Sequence, residues 1–362
     1  RIDYSIKKKG NIVTLERKSR MQMPIDFRII ANDGKTYDYH IPNNWFVKKT
    51  SATVLPRWIG YGNLNKEYTF KTHVPSGVDN IMIDISERLA DSYMINNRLN
   101  SNVDFSLDYG VHKYANLRKY ELKARPGLWY NSFDGIKVGT SLNGHYLKKH
   151  HVLNANLWLN TGAMKGEQFE GNSENDKVSY QITYSTSMYK YVKNSRIRLA
   201  ASELDGLSYF SIGYNIKDNS KMNSLDISLN GFERKNESDL NYLLYSNMWK
   251  PEMKNTNITM SLSHNYYYLQ NNKLSGNGNI QLSLKSSSIM SDYDFAQLTF
   301  EAVNRNSISG YQINTRLFVQ RGFGSNFPLE SMLYAAGTNP EQLMANQFTR
   351  SKGWIPNNWT GY

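Results

Sequence analysis

The chain has no cysteine among its 362 residues, so it holds neither a disulfide nor a thiolate metal site. It also lacks any run of about 18 apolar residues, which excludes a helical membrane span. Mean hydropathy is -0.61, yet a transmembrane barrel stays open, because alternating strands dilute hydropathy. Motifs that carry chemistry are missing too. The seven histidines are His40, His73, His112, His145, His150, His151 and His264. None is followed by glutamate, so there is no H-E-x-x-H zinc helix. No G-x-S-x-G elbow occurs, and neither Gly206 nor Gly322 precedes a helix that would cradle phosphate. On a strand His150 and His151 point to opposite faces and cannot chelate one ion by adjacency. Asp104, Asp108 and Asp226 lie on polar strand faces without the spacing of an acid–base pair. No catalytic, cofactor-binding or metal-binding residue is assigned.

What the chain has in quantity is positive charge and aromatic rings. A formal charge of +12 calls for an anionic neighbour. The basic residues are dispersed, apart from Lys7-Lys8-Lys9, Lys48-Lys49 and Lys148-Lys149. Dispersed Lys and Arg at strand ends form a solvated rim rather than a nucleic-acid groove, so lipid or lipopolysaccharide is expected and nucleic acid is not. Aromatics make up 13% of residues, with 26 tyrosines, which suits aromatic girdles or a soluble all-β protein. The chain begins at Arg1 without Met, and a processed or partial product is expected.

Residues 1 to 97 read as a small Ig-like β-sandwich with its linker. Ile2, Tyr4 and Ile6 alternate, Ile12 to Leu15 make a second strand, and Ile25, Phe27 and Ile29 a third. Asn32-Asp33-Gly34 turns the chain into Tyr37, Tyr39 and Ile41. Tyr68, Phe70 and Thr72 follow, then Val78 to Ile85. Short strands with turns every 8 to 12 residues are the pattern of a sandwich. The polar stretch Ser86 to Leu99 reads as the linker, with one helical turn at Glu87-Arg88-Leu89-Ala90.

Residues 98 to 362 read differently. The strands become longer and more uniform, about a dozen in number, with mostly short polar connections such as Lys217 to Lys221 and Arg234 to Ser238. In Asn257 to Gln270, Ile258, Met260, Leu262, Tyr266 and Tyr268 fall on one parity; Thr259, Ser261, Ser263 and Asn265 fall on the other. The apolar parity recurs in Leu153, Leu157 and Leu159, in Leu225, Ile227 and Leu229, and in Ile280, Leu282 and Leu284. An open sheet of this size leaves a large uncovered apolar face. Either two such faces pack as a soluble sandwich, or the sheet closes with that face toward lipid. The second face is Ser, Thr, Asn, Asp and Gln with little Lys or Glu, which suits a hydrated barrel interior. The expected fold is therefore all-β: a small β-sandwich, then an antiparallel outer-membrane-type β-barrel of about 12 or more strands. The residues named on the apolar parity are its lipid-facing set. His264 shares their parity and is expected beside the tyrosine girdle. Thr161 to Lys177 is the candidate cell-surface loop. The tail after Gly322 loses the alternation, so the barrel is expected to be incomplete at its C-terminus.

A family resemblance runs alongside this reading. Ile12-Val13-Thr14-Leu15, Met23-Pro24-Ile25-Asp26-Phe27, Asp33-Gly34-Lys35 and Gly77 to Asp84 resemble the small β-sandwich that follows the catalytic domain in aminopeptidase N-like zinc metallopeptidases. The remainder, with Leu333 to Glu341, is similar more loosely to members carrying a barrel-like region. That family's zinc helix and G-A-M-E-N motif precede this module, and neither is in this chain. Gly162-Ala163-Met164 imitates the motif with Lys165 in place of the acid, and no catalytic residue carries over. The resemblance implies a non-catalytic outer-membrane region that anchors a peptidase-like module in the periplasm and docks on an outer-membrane assembly or secretion complex. Two alternatives stand beside it: a channel, and part of an active zinc metallopeptidase whose catalytic domain lies outside this chain. Zinc is expected only with that missing domain.

Overall fold

A computed structural model of the chain describes residues 2–100, 102–108, 116–131, 135–164, 177–204, 207–234, 250, 252–270, 274–308 and 310–332. Among these the architecture is all-β, and the helical pieces are two 3-10 turns, Met94–Asn96 and Leu329–Ser331. The chain divides into two compact units, residues 1–122 with 145–148 and residues 123–144 with 149–362.

The first unit holds two small sheets. One is antiparallel, from β1 (Tyr4–Lys9), β2 (Ile12–Arg17) and β6 (Glu67–Lys71). The other runs β5-β4-β3-β7, from β3 (Ile25–Ala31), β4 (Thr36–Ile41), β5 (Thr53–Val54) and β7 (Val78–Ile83). Along β3 the side chains alternate between buried and half-buried, as a strand against a core requires. Phe27 of β3 stacks on Tyr39 at 5.0 Å and meets Phe70 of β6 at 5.3 Å, so the sheets face each other across one core. Val13, Leu15, Ile25, Ile29 and Ile81 complete its centre, each worth about 1.5–3 kcal/mol when fully buried. The predicted turn forms with Gly34 at φ +81°, a conformation other residues resist.

Residues 84–99 pack back on this core. The Ile83 amide donates to Asn97 O and the Leu99 amide to Ile81 O, while Leu89 and Tyr93 are buried. The expected helical turn at 87–90 is absent. The Asp84 carboxylate instead accepts the amides of Arg88 and Leu89, and Glu87 sits at φ +58°. The one helical turn falls later, at Met94–Asn96.

The long sheet has twelve strands, each beside its sequence neighbours. They are β8 (Asn102–Leu107), β9 (Lys119–Asn131), β10 (Gly135–Tyr146), β11 (His150–Asn160), β12 (Val178–Ser187) and β13 (Ser195–Leu204). There follow β14 (Leu207–Lys217), β15 (Asn223–Arg234), β16 (Lys254–Gln270), β17 (Leu274–Ser287), β18 (Asp294–Ile308) and β19 (Tyr311–Asn326). From β11 to β19 every pair is antiparallel, so connections alternate between the sheet's two ends. The two longest, residues 161–177 and 235–253, leave the same end, where β19 also finishes. The expected turn at Arg234 to Ser238 lies mostly outside the described residues; the next strand among the described residues is Lys254–Gln270. Trp354 to Tyr362 and Leu333 to Glu341 also lie outside them.

Candidate functional site

Register places the two parities of the long sheet on two chemically distinct faces. Tyr184, Leu199, Ile212, Leu229 and Ile258 stand directly opposite one another across β12 to β16. One step along, Leu225, Leu262, Leu282 and Phe300 do the same across β15 to β18. Strand alternation thus gathers apolar residues from distant sequence positions into one continuous face. Its members are not buried: Ile258, Met260, Leu262 and Leu282 are 49%, 41%, 50% and 44% exposed. Leu157, Leu159, Ile227, Ile280, Leu284 and Tyr268 are exposed as well, while Leu153, Leu225, Leu229 and Tyr266 are half-buried. A contiguous exposed apolar face of this extent needs a non-aqueous neighbour.

Toward the end of β16 the same face becomes aromatic. The His264 and Tyr266 rings stack at 6.3 Å and Tyr266 and Tyr268 at 6.5 Å. Tyr266 lies opposite Gly278 and Tyr268 opposite Gly276, and each ring occupies the space a Cβ would take at its glycine. Phe210 covers Gly231 in the same manner. His264 Nδ1 lies 2.7 Å from Asn223 Oδ1, and the Tyr268 hydroxyl donates to Asn306. These are amphipathic groups with apolar bodies and polar tips, as interfacial side chains are.

The opposite face is a hydrogen-bonded carpet. Ser224 pairs with Ser263 at 2.6 Å and Ser261 with Ser283 at 2.8 Å, while Ser211 donates to Asn230. Two ion pairs cross its strands. Arg316 bonds Glu301 at 2.7 Å. Arg198 reaches over Gly213 to Asp226, two strands away, and Asn215 adds a bond to the same carboxylate. Asp226, one of the three aspartates on polar strand faces, is thus ion-paired. A cavity of about 550 Å³ opens here, lined by Gln181, Thr183, Ser202, Tyr209, Asn230 and Asn257 among others. Near β10 the face holds a fully buried Lys137, which donates to Ser179 Oγ at 3.2 Å. Sequence reasoning missed the Arg198–Asp226 pair and the tyrosine–glycine contacts, because both depend on register rather than on local pattern.

Two other clusters bring histidine to polar partners. In the first unit, buried His40 places Nδ1 2.8 Å from Asp26 Oδ1, and Lys48 takes the other oxygen. Burial pushes the Asp26 carboxyl up, but the Lys48 and His40 hydrogen bonds outweigh it and hold the group below the usual carboxylate range. Among the described residues no serine, threonine or tyrosine hydroxyl hydrogen-bonds to this group. His150 meets Tyr189 edge to face at 5.2 Å, whereas His151 Nδ1 contacts the Tyr184 hydroxyl at 2.6 Å, so the adjacent histidines serve different partners. Among the described residues no three His, Asp or Glu side chains are grouped to hold a metal ion, and no helix is long and apolar enough to cross a membrane. The segment Gly162-Ala163-Met164 is a turn whose Ala163 carbonyl accepts from Ile136. Comparison of the sequence with models of known protein families and with the curated proteins returns no match.

Proposed function

We propose that the long sheet is the wall of an outer-membrane β-barrel that anchors the N-terminal β unit on the periplasmic side. The observation carrying this reading is the apolar face, matched residue for residue across consecutive strands and left exposed. Its height fits. Ile258 to Tyr268 spans about 34 Å along a strand, which a tilt of about 40° reduces to about 26 Å, close to the lipid-facing band of such barrels. The polar face, hydrogen-bonded and crossed by two ion pairs, suits a hydrated interior. On this reading the partners are outer-membrane lipid and lipopolysaccharide, and docking on an outer-membrane assembly or secretion complex follows from the peptidase-like resemblance of the first unit. A second reading, a channel, is favoured by the cavity on the polar face. Fractionation of cells expressing the chain tests the anchor: it should sediment with outer membranes and leave them only in detergent. Recovery as a detergent-independent soluble monomer would sink it. The extracted protein in planar bilayers then separates the two readings, since an anchor gives no large stable openings and a channel does.

A further inference from the structure

We propose that residues 42–66 of the first unit form a docking surface for anionic phospholipid headgroups. The composition is one-sided. Between Pro42 and Lys66 the chain carries Lys48, Lys49, Arg57 and Lys66 and neither aspartate nor glutamate; the adjoining strip 18–23 adds Lys18 and Arg20, again without an acid. Lys48 and Lys18 are engaged by Asp26 and Glu16. Among the described residues Arg20, Lys49 and Lys66 make no ion pair.

Interleaved with these cations are rings and aliphatic side chains that the unit's own core does not use. Trp45 is 84% exposed, Phe46 75%, Tyr61 76% and Leu64 61%. The Arg57 guanidinium lies 3.3 Å from the centre of the Trp45 ring, which puts a positive charge and an indole at one point. The surface is also held in advance. Buried Arg17 donates to the carbonyls of Ser19, Gly62 and Leu64, and the buried Trp58 ring donates from Nε1 to Asn65 O at 2.8 Å. Little ordering entropy is left to lose on contact. Exposed rings among cations, in segments that carry no carboxylate of their own, match an anionic bilayer surface.

The inference rests on the membrane reading above, which brings the unit to a bilayer. Because the chain has no cysteine, Asn63→Cys gives a single labelling site in the turn after Gly62. The full chain, labelled there with an environment-sensitive dye, goes into nanodiscs of phosphatidylcholine with or without phosphatidylglycerol. Expected with phosphatidylglycerol only are a blue shift and quenching by spin-labelled lipid, both reversed by high salt. The same dye at Lys35→Cys, beyond the opposite end of β4 from Pro42, should not respond. Arg20→Gln, Lys49→Gln and Lys66→Gln should each lower the docked-to-free ratio about fivefold. An unresponsive Asn63 label, an equal response in both lipids, or a concentration-dependent shift without lipid would overturn the proposal. If the chain does not enter discs, the barrel reading fails separately. The labelled protein is then mixed with phosphatidylglycerol vesicles, where a shift keeps the docking surface and its absence removes that as well.

Discussion

Arg17 is fully buried, with its guanidinium spread over three backbone carbonyls, two of them 45 and 47 residues away in sequence. Nothing around it in the chain announces this, since Glu16-Arg17-Lys18 reads as an ordinary polar strand end. Partners that are carbonyls leave no side-chain signature. Leaving such acceptors unsatisfied costs about 1–3 kcal/mol each. Arg17→Met should therefore open the Gly62–Asn65 turn on the order of a hundredfold more often, seen as faster amide exchange there. Arg17→Lys should recover only part of the protection, because one ammonium lacks the planar fork. Unchanged exchange in both variants would show that the turn is held by something else. The hydrophobic residues of the same unit were legible by contrast: Ile25, Phe27 and Ile29 share one parity of an expected strand, and all three are buried.

At the scale of the strand, legibility followed purity of alternation. β16 and β17 were plain because Ile258, Met260, Leu262 and Ile280, Leu282, Leu284 hold one parity without a break. Strands β9, β10 and β13 carry no such clean alternation. Pro126 and Gly127 interrupt β9, β10 carries Gly135, Gly139 and Gly144, and Ala200-Ala201 erases the period in β13 after Ile197 and Leu199. These strands are fixed by their neighbours in the sheet rather than by local preference, the usual tertiary override of β propensity. The glycines of β17 have a different reason. A Cβ at Gly278 would overlap both the Tyr266 ring and the Val303 carbonyl, and only the ring can move. Gly278→Ala should then destabilise the β16–β17–β18 region by about 1–3 kcal/mol. Urea unfolding in detergent measures it. Restoration by the double variant with Tyr266→Ala should be incomplete, and full restoration would assign the whole strain to the ring.

For the whole molecule, the separation into an apolar and a polar face was readable from parity, whereas sidedness was not. Antiparallel order supplies it, because residues 161–177 and 235–253 leave one end of the sheet and the turn at 218–222 leaves the other. In a membrane wall, single cysteines at Ser173 and Ser238 should react with an impermeant reagent in the same compartment, and one at Ser220 in the opposite one. Equal reaction of all three in intact cells would mean the sheet does not span. The test also decides the expectation that Thr161 to Lys177 reaches the cell surface, for β19 finishes at that same end.

One further consequence lies in the two strands that border the long sheet. β8 has six residues and β19 has sixteen. Pairing β19 with a six-residue strand leaves ten of its residues unmatched, and alternate ones among these would turn an amide and a carbonyl toward the gap. In hydrocarbon each unsatisfied group costs several kcal/mol. A seam closed by those six residues alone would therefore be the weakest line of the wall, and a wall sealed in lipid needs at that seam a strand about as long as β19 itself.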